Sequence, residues 1–172
     1  MPTLTKLKGN DVALYGNQVN VGDKAPVVTL PTSDLSNVTI GGASDKAQLI
    51  IAVPSLDTPV CATETRKFNE EASKVENGAV CVVSMDLPFA AKRFCSAEGI
   101  ENLAVLSDFR DKNFSVSYGT LIAEGVLRGL SARVVFVVNK EGIVTYKEIT
   151  EDITAEPNYE AALEAFKKAA AE

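Results

Sequence analysis

Apolar residues recur along this chain with two different spacings. Gln48-Leu-Ile-Ile-Ala-Val53, Ala79-Val-Cys-Val-Val-Ser84 and Val134-Val-Phe-Val-Val138 are short, unbroken and rich in β-branched residues. That pattern predicts strands buried on both faces. Thr58–Val75 instead has helical periodicity. Counting from Cys61, a single stripe carries Thr65, Phe68, Ala72 and Val75, while Glu64, Arg66, Lys67, Glu70 and Glu71 fall on the other faces. Pro88–Glu98 predicts a second helix, with Asp86 as its cap and Pro88 in its first turn. Ala104–Ser107 reads as a short strand and Lys112–Tyr118 as a helical turn.

Two hairpins are expected. Leu4–Lys8 and Val12–Tyr15 flank Gly9-Asn10, while Arg133–Val138 and Ile143–Ile149 bracket Asn139–Gly142. A closing helix starts at Pro157, turns Ala162, Leu163, Phe166 and Ala169 inward, and places Lys167 and Lys168 near its negative end. Neither a linker nor a repeat interrupts this order. It predicts an α/β fold with a mixed central sheet flanked by helices, in a thioredoxin-like layout. Residues 1–172 form one domain in this reading, with 1–17 as an N-terminal hairpin extension.

Composition narrows the chemistry. Within 172 residues, 46% are hydrophobic, enough to bury a core, and the formal net charge is −6. That balance argues against a nucleic-acid partner or an anionic membrane surface. The longest apolar runs fall far short of the ~20 residues of a membrane helix. Residues 1–11 contain no apolar stretch, so a cytoplasmic location is expected. The chain has no histidine and no tryptophan. Without histidine there can be no Ser-His-Asp triad, Cys-His dyad or HExxH zinc site. Three cysteines remain, at 61, 81 and 95, with no CxxC pair among them, and no metal is expected.

Pro54-Ser-Leu-Asp-Thr-Pro-Val-Cys61 leaves a buried strand and opens a helix, at the strand end where open α/β sheets place their sites. Thr58 suits the N-cap because Pro59 then occupies the first helical position. Cys61 follows at the third position, among unpaired backbone N–H groups at the positive helix end. A Thr58 hydroxyl could accept from a backbone N–H and donate its own proton to the sulfur. These influences favour S⁻ over SH and suggest a nucleophile. The competing reading is a small core residue, which a free cysteine often is. Cys81, inside an apolar strand, is expected to be structural and inert.

These residues also carry a resemblance. Pro54-x-x-x-Thr58-x-x-Cys61 is similar to the peroxidatic motif of the peroxiredoxins. Asp86-Leu87-Pro88-Phe89-Ala90 leading to Arg93-Phe94-Cys95 resembles the atypical two-cysteine branch, the bacterial thiol peroxidases. Agreement continues through Gly125-x-Leu127-x-Gly129-Leu130-x-Ala132-Arg133 and Glu156-Pro157-x-Tyr159-Glu160-Ala161-Ala162-Leu163. The resemblance implies a thioredoxin fold and the reduction of hydrogen peroxide and organic or lipid hydroperoxides. Cys61 would become a sulfenic acid, and Cys95 would resolve it as a Cys61–Cys95 disulfide that thioredoxin reduces. No cofactor would be needed. Pro54 would shield the sulfur, Thr58 would hydrogen-bond to it, and Arg133 would complete the site in what is generally a homodimer.

The residues alone leave some of this open. Arg133 shares a strand face with Val135 and Val137, but nothing in the pattern prefers it to Arg93, Arg110 or Arg128. Arg66 lies roughly 140° round the helix from Cys61 and should point away. Helices flanking adjacent strands pack about 8–10 Å apart between axes, too far for a disulfide. Cys61 and Cys95 are therefore expected to be unbonded in the reduced fold, and one helix must unwind before they meet. A dithiol oxidoreductase is disfavoured, because position 64 holds glutamate where CxxC would need cysteine. A redox sensor using Cys61 without turnover remains the alternative from another class.

Overall fold

The computed structural model describes residues 3–172; Met1 and Pro2 of the expected 1–17 extension lie outside them. Strands β1 (Leu4–Leu7) and β2 (Asn10–Tyr15) form the first hairpin, pairing Leu7 with Asn10. The turn is Lys8-Gly9 rather than the expected Gly9-Asn10. Both turn residues have positive φ, 50° and 88°, the conformation that matches the twist of a two-residue hairpin. Strands β3 (Val28–Pro31) and β4 (Asn37–Ile40) make a second small antiparallel pair that the apolar pattern did not signal.

Strand β5 (Ala47–Ala52) is buried at every residue. Helix α1 (Pro59–Glu71) follows and closes in a turn of 3-10 helix at Ala72–Lys74, so the predicted helix ends in a tighter coil. Next come β6 (Gly78–Ser84), α2 (Pro88–Glu98), β7 (Ala104–Ser107), α3 (Asn113–Tyr118) and the two-residue β8 (Leu121–Ile122). Strands β9 (Val134–Val138) and β10 (Val144–Ile149) form the expected late hairpin. Helix α4 (Tyr159–Ala171) starts after Asn158, whose side chain accepts from the Ala161 N–H. Pro157 thus lies just outside the helix that it was expected to begin.

The central sheet runs β10-β9-β5-β6-β7, with β5, β6 and β7 parallel and β9 antiparallel to β5. This mixed sheet is the expected architecture. Strand alternation divides the core into two layers. One layer gathers Ile50, Ala52, Cys81, Val83, Val134, Phe136, Phe114 and Tyr118 with the small sheets. The other gathers Leu49, Ile51, Val82, Val135 and Val137 under Phe68 of α1, Ala91 of α2 and Phe166 of α4. Cys61 belongs to this second layer, and Cys95 packs against it. Among the described residues, no helix is long and apolar enough to cross a membrane.

Candidate active site

The chain leaves β5 at Val53 and reaches α1 through Pro54–Thr58, with Pro54 and Leu56 buried. Thr58 is extended, at φ −122° and ψ 151°, and its Oγ1 accepts the Cys61 N–H at 3.4 Å. The predicted cap is therefore in place, with proline at the start of the helix and Cys61 at its third position. The hydroxyl proton takes a different course from the one expected. Thr58 Oγ1 donates to the Ser55 carbonyl at 3.2 Å, so that proton closes the loop rather than pointing at sulfur.

Asp86 also behaves differently from expectation. It does not cap α2, whose N-cap Leu87 has no side-chain cap bond. Its carboxylate instead faces the loop before α1. Asp86 accepts from Ser55 Oγ at 2.7 Å, the Leu56 N–H at 2.6 Å and Ser84 Oγ at 2.9 Å. The end of β6 thereby fixes the segment that delivers Cys61. A cleft of about 340 Å³ opens beside it, lined by Leu56, Asp57, Asp86, Arg93 and Phe94.

Arg133 comes from the residue just before β9, on the face that Val135 and Val137 share. It is 3% exposed, and its Nη1 lies 3.1 Å from Cys61 Sγ and 2.8 Å from Glu64 Oε1. Its Nε donates to the Ile153 carbonyl at 2.8 Å. Of the arginines that the sequence left open, Arg133 is the one that meets the sulfur. Burial opposes its charge, but Cys61 and Glu64 outweigh burial and hold the guanidinium protonated. Arg66 points away as expected, pairing instead with Glu98 of α2 at 2.8 Å.

Glu64 is the residue that the polar-face assignment misplaced. It is fully buried rather than on an outer face, and Oε2 has no hydrogen-bond partner among the described residues. Burial raises its pKa to about 7 against the opposing pull of Arg133. The sequence held one signal for this: position +3 from Cys61 is adjacent to the apolar stripe on the helix surface.

Cys95 is half-buried on α2, its thiol pushed up by burial, and its carbonyl accepts from the Gly99 and Ile100 N–H groups at the helix end. Cys81 is buried in the opposite layer, and burial pushes its thiol up to about 12. That fits the inert role expected of it. Cys61, Cys81 and Cys95 are all free. Among the described residues, no group of histidine, cysteine or acidic side chains has the clustering of a metal site.

Comparison with known proteins agrees with this arrangement. The family described as Redoxin matches residues 20–163. A thiol peroxidase of Aquifex aeolicus is 51% identical over 98% of this chain and 99% of its own length. One from Campylobacter jejuni is 56% identical over 95% of this chain and 92% of its own. The crystal structure of a peroxiredoxin-like protein from Aquifex aeolicus superposes with a TM-score of 0.93 at 51% identity, covering 96% of both chains. A thiol peroxidase from Chromobacterium violaceum, at 20% identity and a TM-score of 0.85, shares the fold. The Redoxin match over residues 20–163, together with 51% and 56% identity to thiol peroxidases over nearly the whole chain, places this chain in the redoxin family, among the peroxiredoxins.

Proposed function

We propose that this thiol-dependent peroxidase works through Cys61 as the attacking thiolate and Cys95 as the resolving thiol. The Cys61 sulfur attacks one peroxide oxygen, the O–O bond breaks, and the leaving oxygen departs as water or an alcohol after taking a proton. Cys61 is left as a sulfenic acid. The Cys95 thiol then attacks that sulfur, releasing water and forming the Cys61–Cys95 disulfide. A thioredoxin dithiol exchanges with this disulfide, restoring both thiols and becoming oxidised itself. The electrons come from thioredoxin, so the cycle runs without a metal, haem or flavin.

The observation that carries this reading is the 3.1 Å contact between Arg133 Nη1 and Cys61 Sγ inside a buried site. A guanidinium there favours the thiolate and stabilises negative charge growing on the leaving oxygen. Thr58 builds the loop that presents the sulfur, and Pro54 screens it from water. The substrates are hydrogen peroxide and organic or lipid hydroperoxides, and the role is antioxidant defence in the cytoplasm. The chain acts as one domain, residues 1–172 with the 1–17 hairpin extension, and assembles as a homodimer.

Mass spectrometry after one equivalent of hydrogen peroxide tests the assignment. The expected product has lost two hydrogens, with peptide mapping to a Cys61–Cys95 crosslink and Cys81 free. The Cys95→Ser variant should react once and then fail to recycle through thioredoxin. Full turnover by Cys61→Ser would overturn the reading.

A further inference from the structure

Besides Cys61 and Glu64, the guanidinium of Arg133 has a third anchor, and it belongs to neither α1 nor the central sheet. The Ile153 carbonyl that accepts from Nε lies in the loop between β10 and α4. That loop is acidic, with Glu151, Asp152 and Glu156. The structure fastens residues 150–153 to the N-terminal hairpin through Thr5, Lys6 and Gly9. Ile153 donates its N–H to the Lys6 carbonyl at 2.7 Å. Thr5, buried on β1, donates its hydroxyl to the Thr150 carbonyl at 2.9 Å. The Gly9 N–H donates to Asp152 Oδ2 at 2.9 Å.

Asp152 and Thr150 complete the fastening. The second oxygen of Asp152 accepts from the Thr154 N–H at 2.9 Å and hydroxyl at 2.7 Å, which sets the turn after Ile153. Buried Thr150 donates its N–H to the Arg133 carbonyl at 3.1 Å and its hydroxyl to the Asp152 carbonyl at 2.9 Å. The loop therefore grips Arg133 by its backbone and by its side chain, and the hairpin grips the loop.

We infer that the N-terminal hairpin is a positioning element of the active site, holding the 150–153 loop so that the Ile153 carbonyl fixes the rotation of the Arg133 guanidinium. This rests on reading Cys61 as the peroxide-attacking thiolate. A planar guanidinium fixed at Nε by a carbonyl and at Nη1 by a carboxylate has one orientation left, and here it presents Nη1 to sulfur. Loosening the Nε anchor lets the plane turn, and small losses of alignment are costly in a preorganised site. Thr5 and Asp152 are thus positioning residues. They touch no reacting atom and act through Arg133.

The test compares Thr5→Val, Thr5→Ser and Asp152→Ala with the unaltered chain. The rate of Cys61 oxidation by hydrogen peroxide and the rate of the later crosslinking to Cys95 are followed separately. Thr5→Val and Asp152→Ala should slow oxidation by about tenfold. Crosslinking should keep its rate, and Thr5→Ser, which retains the hydroxyl, should restore oxidation. General loss of stability would slow both steps together, and that result overturns the inference. Oxidation at the unaltered rate in both damaging variants overturns the inference. If Thr5→Val does not fold, Asp152→Ala decides alone. Failure of the unaltered chain to oxidise at Cys61 would refute the proposed mechanism, a result separate from any hairpin effect.

Discussion

Glu64 lies three residues beyond Cys61 on α1, and both side chains converge on one guanidinium nitrogen, Arg133 Nη1. A single cation thus serves two buried groups that are each anionic when ionised. Their charges are coupled: whichever group is neutral leaves more of the guanidinium to the other.

Glu64 gives the protein a pH-dependent weakness. Its folded pKa of about 7 exceeds its ordinary value of 4.5, so between those limits the folded state keeps a proton that the unfolded chain releases. Stability should therefore fall as pH rises through that window and level off above it, by an amount on the order of 3 kcal/mol. Glu64→Gln should lose this slope. Urea denaturation at both ends of the window checks it, and equal slopes in the two proteins would contradict the burial argument.

Arg133→Lys should not be a mild change. An ammonium is a point charge and cannot serve the Ile153 carbonyl, Glu64 and Cys61 together as the fork does. Oxidation of Cys61 should slow by about 10²-fold, the scale of losing one preorganised donor. Stopped-flow peroxide kinetics measures this directly, and a loss below threefold would mean that charge alone suffices.

Asp86→Ala removes the acceptor for Ser55, Leu56 and Ser84 at once. A buried N–H left unpaired costs about 1–3 kcal/mol, so the melting temperature should drop by several degrees. The Pro54–Thr58 loop should also become a site of proteolytic cleavage. Thermal unfolding and limited proteolysis test the two effects, and an unchanged digestion pattern would show that the loop holds itself.

Arg66 and Glu98 form a clasp between α1 and α2, the helices of Cys61 and Cys95, and unwinding the last turn of α2 opens it. The pair is partly exposed, so Arg66→Ala should cost less than about 1 kcal/mol of global stability. Crosslinking of Cys61 to Cys95 should nevertheless become faster by a few-fold. Quenched-flow trapping of free thiols after peroxide addition would register the change, and slower crosslinking would assign the clasp an alignment role instead.

Much of this was readable in the chain because its strongest patterns are local. Continuous apolar runs gave β5, β6 and β9, and Pro88–Glu98 is the helix that its proline and spacing suggested. Thr58, Pro59 and Cys61 sit where cap rules put them, since those rules need only neighbours in sequence. Glu64 was misread because a charged residue beside an apolar stripe looks solvated until its partner is known, and that partner lies 69 residues away. Asp86 was given to the helix next to it, although its oxygens reach 30 residues back. The Ile153 carbonyl could not have been found, because any residue has one. Strands β3 and β4 carry little apolar signal because β4 buries only Ile40 and β3 ends its alternation at Pro31.

The sheet has a further consequence for the order in which sulfurs find each other. Three thiols allow three pairings, but Cys81 lies in one core layer while Cys61 and Cys95 lie in the other. Two of those pairings would have to pass through hydrogen-bonded backbone, whereas the third needs only a helix to fray. In the proposed cycle the sheet therefore keeps Cys81 apart from the Cys61 and Cys95 sulfurs. On that proposal, fidelity of oxidation is a property of wiring, built in before any oxidant appears.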